Sequence, residues 1–599
     1  MITKMDKYSL MIYHADLPNF LEHLQELGMV DIRRQSHAMD AQSKELYDLT
    51  QRYRQIIKKL DNTKSNIKEE DIDKSLIDLS FHVDILLKEA EDAYANRYNF
   101  EMELQQLLRD KTEAGLWGDY YMEDIEKLRT LGYDLHFFCM LEGKFKEEWH
   151  NNHILHVLNH NGGKIFFVIM TLKGSELKFK VPESKFPQVP YHKLLEKEER
   201  LREAIIENDE RIKAFTVCTK VFKERSETLA MELDRYFAKS ASKKAVEDFV
   251  DTLTGFAPAD SREKVAEFFD NEGIYYDIED ATEEDNPPIK LKNNFFAKLF
   301  EPIGALYMFP KYGELDLTPF FAPFYMFFFG LCLGDMGYGI TLMIVGGIAK
   351  FKLPKMKGLL TLVQLLGFGA IVMACLTGTF FGGKLANWLP LPESITSFFF
   401  SDIKMFWFAI IFGLVHIITA RLITAIYSMI KKGWQYGMSN IGWVIIIIWA
   451  SLAYARTMKP ELALPSYFNY FAIAGAALIL FFSATEGNIF IRILKGTVSF
   501  YDITGVFGDM LSYIRLFGLG TSGGILGMVI NSVAFSLSAI PYVGWAFTIL
   551  VLVVGHIAVL ALSSLGAFVH PMRLTFVEFY KNAGFTGGGK EFRPLRKIN

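Results

Sequence analysis

The chain has 599 residues, 50% of them hydrophobic, 14% aromatic and 22% charged, with a net charge of −5 at pH 7. So oily a composition with so many charges excludes one soluble domain of ordinary type, and the acidic balance offers no footprint for nucleic acid. The four cysteines, Cys139, Cys218, Cys332 and Cys375, lack CxxC spacing and point to neither a disulfide framework nor a zinc site.

The conflict disappears when the chain is divided near residue 315. Charges crowd residues 1–315, read as a cytoplasmic domain, and long apolar runs fill residues 316–599, read as a membrane domain. The start, MITKMDKYSLMIYHADLPNF, lacks the apolar core of a signal peptide, so the first domain is expected to stay in the cytoplasm.

Residues 7–33 read as a β-α-β unit: KYSLMIY is strand-like, LPNFLEHLQEL has helical apolar spacing, Gly28 is a natural C-cap, and MVDI resumes as a strand. Long helices are expected over about 38–115 and 190–246. In the second stretch Leu201, Ile205, Asn208, Ile212 and Phe215 alternate spacings of four and three, the seam of a coiled coil, with Asn208 placed to fix its register. A second β-α-β pattern follows over 248–278, with SREKVAEFFDNE as its helix and Gly273 as its stop. The expected fold of this half is an α+β arm: an antiparallel coiled coil with a small α/β lobe at either end. The acidic run from Asp277 to Asp285, followed by NPP, reads as the linker into the membrane.

Apolar stretches able to span a bilayer lie at about 317–334, 336–349, 358–381, 403–430, 438–455, 467–485, 503–537 and 543–580. Eight spans return the C-terminus to the side of the N-terminus. Loop charge supports this: Lys350, Lys352, Lys355, Lys357, Lys431, Lys432, Arg492, Lys495, Lys581, Lys590, Arg593, Arg596 and Lys597 fall on one side. Lys384, Lys404, Arg456 and Lys459 fall on the other, and the basic side is expected to be cytoplasmic.

The last two stretches are too long. Residues 503–537 would make roughly 50 Å of helix against about 30 Å of hydrocarbon. Either the helix breaks or it tilts. Gly518, Gly520, Gly523, Gly524 and Gly527 would permit a break, and would equally let another helix approach closely. Within 503–537 the formal charges are Asp509 and Arg515, and 543–580 carries His556, His570, Arg573 and Glu578. A guanidinium cannot shed its proton to ease burial, and an intramembrane charge marks function by default.

Four segments together resemble one family. LEHLQELGMVDI near the start, FPKYGELDLTPFFAPFYMFFFGLCLGDMGYG at the first span, DMLSYIRLFGLG, and the ending VHPMRLTFVEFYKNAGFTGGGKEFRPL are similar to subunit I of bacterial and archaeal V/A-type rotary ATPases, the counterpart of eukaryotic subunit a. The resemblance covers essentially the whole chain. It implies a non-catalytic stator subunit in a plasma membrane, with both termini cytoplasmic, whose arm binds peripheral stalks and whose membrane domain faces a rotating ring of small carboxylate-bearing subunits. ATP would be handled by a separate sector joined through a central stalk. The transported ion would be H+ or Na+, and the chain itself would bind no cofactor.

By motif, Arg515 matches the family's first arginine, Arg573 the second, and Glu578 the glutamate of RLxxVEF; His570 falls where the family also has histidine. Asp335, in GDMGYG, and Glu486, Asp502 and Asp509 are weaker candidates for half-channel lining or helix positioning. Two departures stand out: Gly523 replaces a histidine of the eukaryotic branch, and Ser563 a glutamate.

Each residue also has a plainer reading. Arg515 would pair with a carboxylate on a neighbouring helix, Arg573 would snorkel to the surface, Glu578 would pair with Lys581, and Asp502 and Asp509 would be caps or interfacial charges. His153, His156 and His160 have helical spacing without the acidic or thiol partners of a metal site. GTFFGGKL, at 378–385, lacks the hydroxyl residue of a phosphate loop. A self-contained secondary transporter or channel is the rival function, and it should show internal repeats. A membrane anchor for a scaffold would leave the deep arginines without a purpose.

Overall fold

The computed structural model describes residues 1–33, 40–65, 72–78, 80–175, 177, 179–245, 249–387, 392, 399–458, 465, 467–485 and 489–597. In chain order, β1 (Met5–Tyr13), α1 (Leu17–Leu27) and β2 (Asp31–Ile32) come first, then α2 (Ala41–Lys64), α3 (Val83–Gly115) and α4 (Met122–Thr130). Next are β3 (Tyr133–Leu141), the short α5 (Trp149–Asn152), β4 (Ile154–Asn161) and β5 (Lys164–Leu172). The first half closes with α6 (Tyr191–Phe215), α7 (Thr219–Ser240), β6 (Lys243–Ala245), β7 (Val250–Pro258), α8 (Arg262–Glu272) and β8 (Tyr275–Asp280).

These elements divide between two compact units, one formed by 1–14, 29–33 and 243–594, the other by 15–28, 34–242 and 595–599. In the first unit the strand order is β2-β7-β1-β8, with β6 beside β7. The two β-α-β segments expected to make separate lobes therefore share one sheet. The reason is strand number: two strands alone are marginal in water. Here β1 pairs with β7 over its whole length, from Met5 opposite Pro258 to Tyr13 opposite Val250, and with β8 on its other edge. Alternation buries Tyr8, Leu10 and Ile12. Arg262, at the head of α8, grips buried Asp6 through two bonds of 2.7 and 2.6 Å. After β8, the Thr282 hydroxyl and the Lys7 ammonium hold Asp285 down to about 2.

In the second unit α2 packs against α7 and α3 against α6. Both pairs run antiparallel: Lys223 meets Asp61 at 2.9 Å, Arg97 meets Asp209 at 3.4 Å, and Lys111 meets Glu198 at 2.7 Å. Asn208 is buried in the α3–α6 seam and donates to the Ala93 carbonyl at 2.9 Å. A separate antiparallel sheet, β3-β5-β4, closes on Trp117, Phe137 and Phe166. The second α/β element thus comes from residues 122–172. His156 and His160 lie on β4, and His153 immediately precedes it, so their spacing is not helical.

The first unit also holds the apolar helices. They are α9 (Phe295–Ala305), α10 (Thr318–Leu333), α11 (Met336–Lys352), α12 (Lys357–Thr377), α13 (Asp402–Lys432), α14 (Met438–Met458), α15 (Phe468–Phe482), α16 (Ile489–Ser499), α17 (Asp502–Ser512), α18 (Ile514–Leu537) and α19 (Gly544–Arg573). Among the described residues, five helical segments are long and apolar enough to cross a membrane: 354–377, 402–432, 434–458, 489–537 and 544–582. The apolar helices α10 and α15 are shorter. The chain enters and leaves this helical body at one end, because Thr586 bonds Glu314 at 3.1 Å, Gly588 bonds the Phe309 carbonyl at 3.0 Å, and Ile289 bonds the Lys590 carbonyl at 2.7 Å.

Candidate functional site

Arg515 stands two residues after the junction of α17 and α18. The helix does not break at its glycines. It tightens at Tyr513, where Tyr513 N–H bonds the Met510 carbonyl at 3.2 Å and Leu516 N–H bonds the Tyr513 carbonyl at 3.1 Å. Tyr513 is fully buried, its ring seated on Gly413 and its hydroxyl 2.9 Å from His416 Nδ1. His416 is itself buried and stacked on Phe579, with centroids 4.5 Å apart. The glycines serve close approach instead: Gly520 abuts the Leu331 carbonyl, and a Cβ at Gly527 would lie 2.8 Å from Gly382 Cα.

Arg515 is half-buried, and its Nη1 lies in the interior without a hydrogen-bond partner. Among the described residues no carboxylate forms an ion pair with it. Arg573, at the end of α19, is exposed. The two arginines stand on different helices, and His570 lies three residues before Arg573 on α19. The outer faces of α18 and α19 are open, with Ile525, Val529, Val533, Ile557, Leu562 and Leu565 exposed. An apolar surface of this extent marks a lipid or protein contact.

Directly after Arg573 the backbone widens into a π-turn over Leu574–Phe579. Such bulges re-aim side chains and are frequent at functional sites. This one turns Glu578 inward to 2% exposure, with Oε2 unpartnered. Lys581 pairs with Asp509 at 3.3 Å and not with Glu578, while Asn582 bridges Asp509 (2.9 Å) and the Glu578 carbonyl (2.7 Å). Asp509 is thus a buried member of this cluster in mid-helix and caps nothing. Asp502 is exposed at the first position of α17, where a carboxylate suits the helix dipole. Glu486 lies outside the described residues.

Asp335 is fully buried and heads α11. Its Oδ1 accepts from Tyr338 N–H (3.1 Å) and Phe381 N–H (2.9 Å), and its Oδ2 from Gly382 N–H (2.7 Å). Both oxygens are spent on backbone, so Asp335 caps a helix and fixes the 379–384 turn.

Two features escaped the sequence reading. Arg421 on α13 sits 5.1 Å over the Trp443 ring, its Nε buried without a partner. Its signal was available, since it too is a charge within an apolar run. The other is a polar chain through His556: Tyr338 hydroxyl to Nδ1 at 2.9 Å, Nε2 to Asn531 Oδ1 at 3.0 Å, and Asn531 Nδ2 to the Phe381 carbonyl at 2.7 Å. No sequence spacing reveals it, because its members come from three helices and a turn.

No family model matches the chain. Among curated proteins, V-type ATP synthase subunit I of Borreliella burgdorferi is 24% identical over 626 aligned residues, spanning 100% of both chains. A-type ATP synthase subunit I of Pyrococcus horikoshii is 31% identical over 349 residues, 54% of this chain and 49% of that one. The subunit I of Methanocaldococcus jannaschii is 27% identical over 384 residues, 57% of this chain and 54% of that one.

The chain is a homologue of V-type and A-type ATP synthase subunit I. It spans about half the length of these archaeal subunit I relatives and the whole of the spirochaete one. In this subunit I homologue the two departures from the eukaryotic pattern are neighbours: a Cβ on Gly523 would lie 3.3 Å from Ser563 Oγ. Chemically, the arrangement offers a fixed cation, without a counter-ion among the described residues, beside an open apolar face.

Proposed function

We propose that this chain is the membrane stator subunit of a V/A-type rotary ATPase or ATP synthase. With a ring of small carboxylate-bearing subunits it forms two half-channels for H+ or Na+, crossing the bilayer eight times with both termini cytoplasmic. The paired helices of its arm, read as a coiled coil, link it to peripheral stalks. ATP is handled by the other sector.

The observation that carries this reading is the unpartnered guanidinium of Arg515. A ring carboxylate travelling through lipid must be neutral, because a bare charge there is very costly. Beside the stator it must release its ion, and a fixed cation favours the ionised form. At about 4 Å and an effective dielectric near 20 the attraction is roughly 4 kcal/mol, about three pKa units. The same cation repels a hopping ion and so blocks a leak between the half-channels. Lysine in that place could neutralise itself, and arginine cannot.

Replacement of Arg515 by Gln in the intact complex is expected to abolish ATP-driven ion pumping in vesicles while the complex still assembles. Pumping at the wild-type rate would overturn the reading. Arg573→Lys should give a milder loss, and full coupling in that variant would make Arg573 a snorkelling residue.

A further inference from the structure

His556, Ser563 and His570 recur on α19 at intervals of seven residues, two helical turns, so they share one stripe with steps of about 10.5 Å. The stripe faces α18. Asn531 meets His556 at 3.0 Å, and Gly523 lies against Ser563. At one end, the antiparallel register set by Asn531 on His556 and Gly523 on Ser563 carries Arg515 to the level of His570, which lies three residues before Arg573. At the other, His556 is joined through Asn531 to the 379–384 turn that Asp335 fixes. Next to Ser563, on the adjoining side of the helix, Ser564 Oγ is buried without a hydrogen-bond partner.

The hydrogen bonds also assign the imidazole. The Phe381 carbonyl can only accept, so Asn531 must present Nδ2 to it and Oδ1 to His556. Nε2 of the ring therefore carries a hydrogen. In the neutral ring Nδ1 is then the basic nitrogen, and it accepts from the Tyr338 hydroxyl.

We propose that protons, and not Na+, pass along this stripe between Arg515 and the membrane face remote from the C-terminal tail, with His556 as the group that takes up and releases them. The proposal rests on the stator reading above and names the ion and the route. A proton reaching Nδ1 makes the imidazolium, which donates from Nδ1 to the Tyr338 oxygen and from Nε2 to Asn531; release from Nδ1 restores the neutral ring. The titratable groups facing His556 among the described residues are Tyr338 and, at longer range, Asp335. Histidine changes charge in the physiological range. A hard cation such as Na+ needs oxygen ligands, and the stripe has imidazoles at both ends and no carboxylate.

The test uses the intact complex in vesicles, reading ATP-driven proton uptake as the pH of the compartment remote from the tail is varied, in Na+-free buffer. His556→Gln keeps the length and an amide able to hydrogen-bond but cannot titrate. It is expected to lower pumping at least tenfold and to flatten that pH profile, with assembly unchanged. Wild-type pumping in His556→Gln overturns the proposal, as does a reduced rate with an unchanged pH profile, which would make His556 structural. Wild-type pumping that requires Na+ overturns it too. Arg515→Gln separates the two levels: if it alone stops pumping, only the route fails, and if it pumps normally the stator reading fails.

Discussion

Asp335 provides the sharpest test of a structural assignment. It is fully buried, and its carboxylate accepts three backbone N–H bonds of 3.1, 2.9 and 2.7 Å, two of them from a turn more than forty positions later in the chain. In Asp335→Asn the Oδ1 bonds to Tyr338 and Phe381 persist as neutral ones, while the new amide meets the Gly382 N–H donor to donor. A bond to a charged acceptor contributes roughly 1.5–3 kcal/mol, and an orphaned buried donor costs about 1–3 kcal/mol. The expected loss is therefore about 2–4 kcal/mol for Asn, and for Ala, with three donors orphaned, more than about 5 kcal/mol. Thermal melts of the purified complex read this directly, alongside ion pumping per assembled complex. An Asn variant that melts like wild type but cannot pump would refute the argument, because the charge of Asp335 would then serve transport and not the turn.

Other consequences follow from the arm and the linker. Asn208→Ala, which removes the bond to the Ala93 carbonyl, should cost about 1 kcal/mol of arm stability in denaturant unfolding. Asn208→Leu should let the α3–α6 pair slip, so that a cysteine at Glu103 cross-links to Ala204 as well as to Lys197, whereas wild type gives the Lys197 product alone. For Asp285, held down to about 2 by Thr282 and Lys7, the stabilisation is fully present above the ordinary carboxylate value near 4. It is lost as pH falls from there through about 2. Hydrogen exchange over 281–286 should rise across that window, and Asp285→Asn should exchange fast already at pH 5 with no further acid step.

Much of the fold was legible because periodicity reports burial. The strands at 5–13, 250–258 and 275–280 and the helices at 17–27 and 262–272 lie where apolar alternation and the glycines at 28 and 273 placed them. Strand partners were not legible. β1 takes β7 and β8, about 250 residues away, and no local pattern encodes which edge a strand will meet. The sheet at 133–172 went unseen although Gly162-Gly163 between β4 and β5 is a hairpin signal, because the preceding run was read for the helical spacing of its histidines. Arg515 stood out as a charge among apolar residues, and Arg421 carried the same signal without a motif to draw attention to it.

The sequence by itself determined which segments are apolar and long enough to cross a membrane and which arginines sit in them, because hydrophobicity and length are properties of a segment. Tertiary structure decided what those residues touch. It seated Tyr513 on Gly413 and His416 so that the helix tightens there and not at its glycines, gave Lys581 to Asp509, spent Asp335 on backbone, and set Gly523 against Ser563. Each of these is a contact between segments far apart in the chain, fixed by packing in three dimensions and invisible to any one-dimensional period.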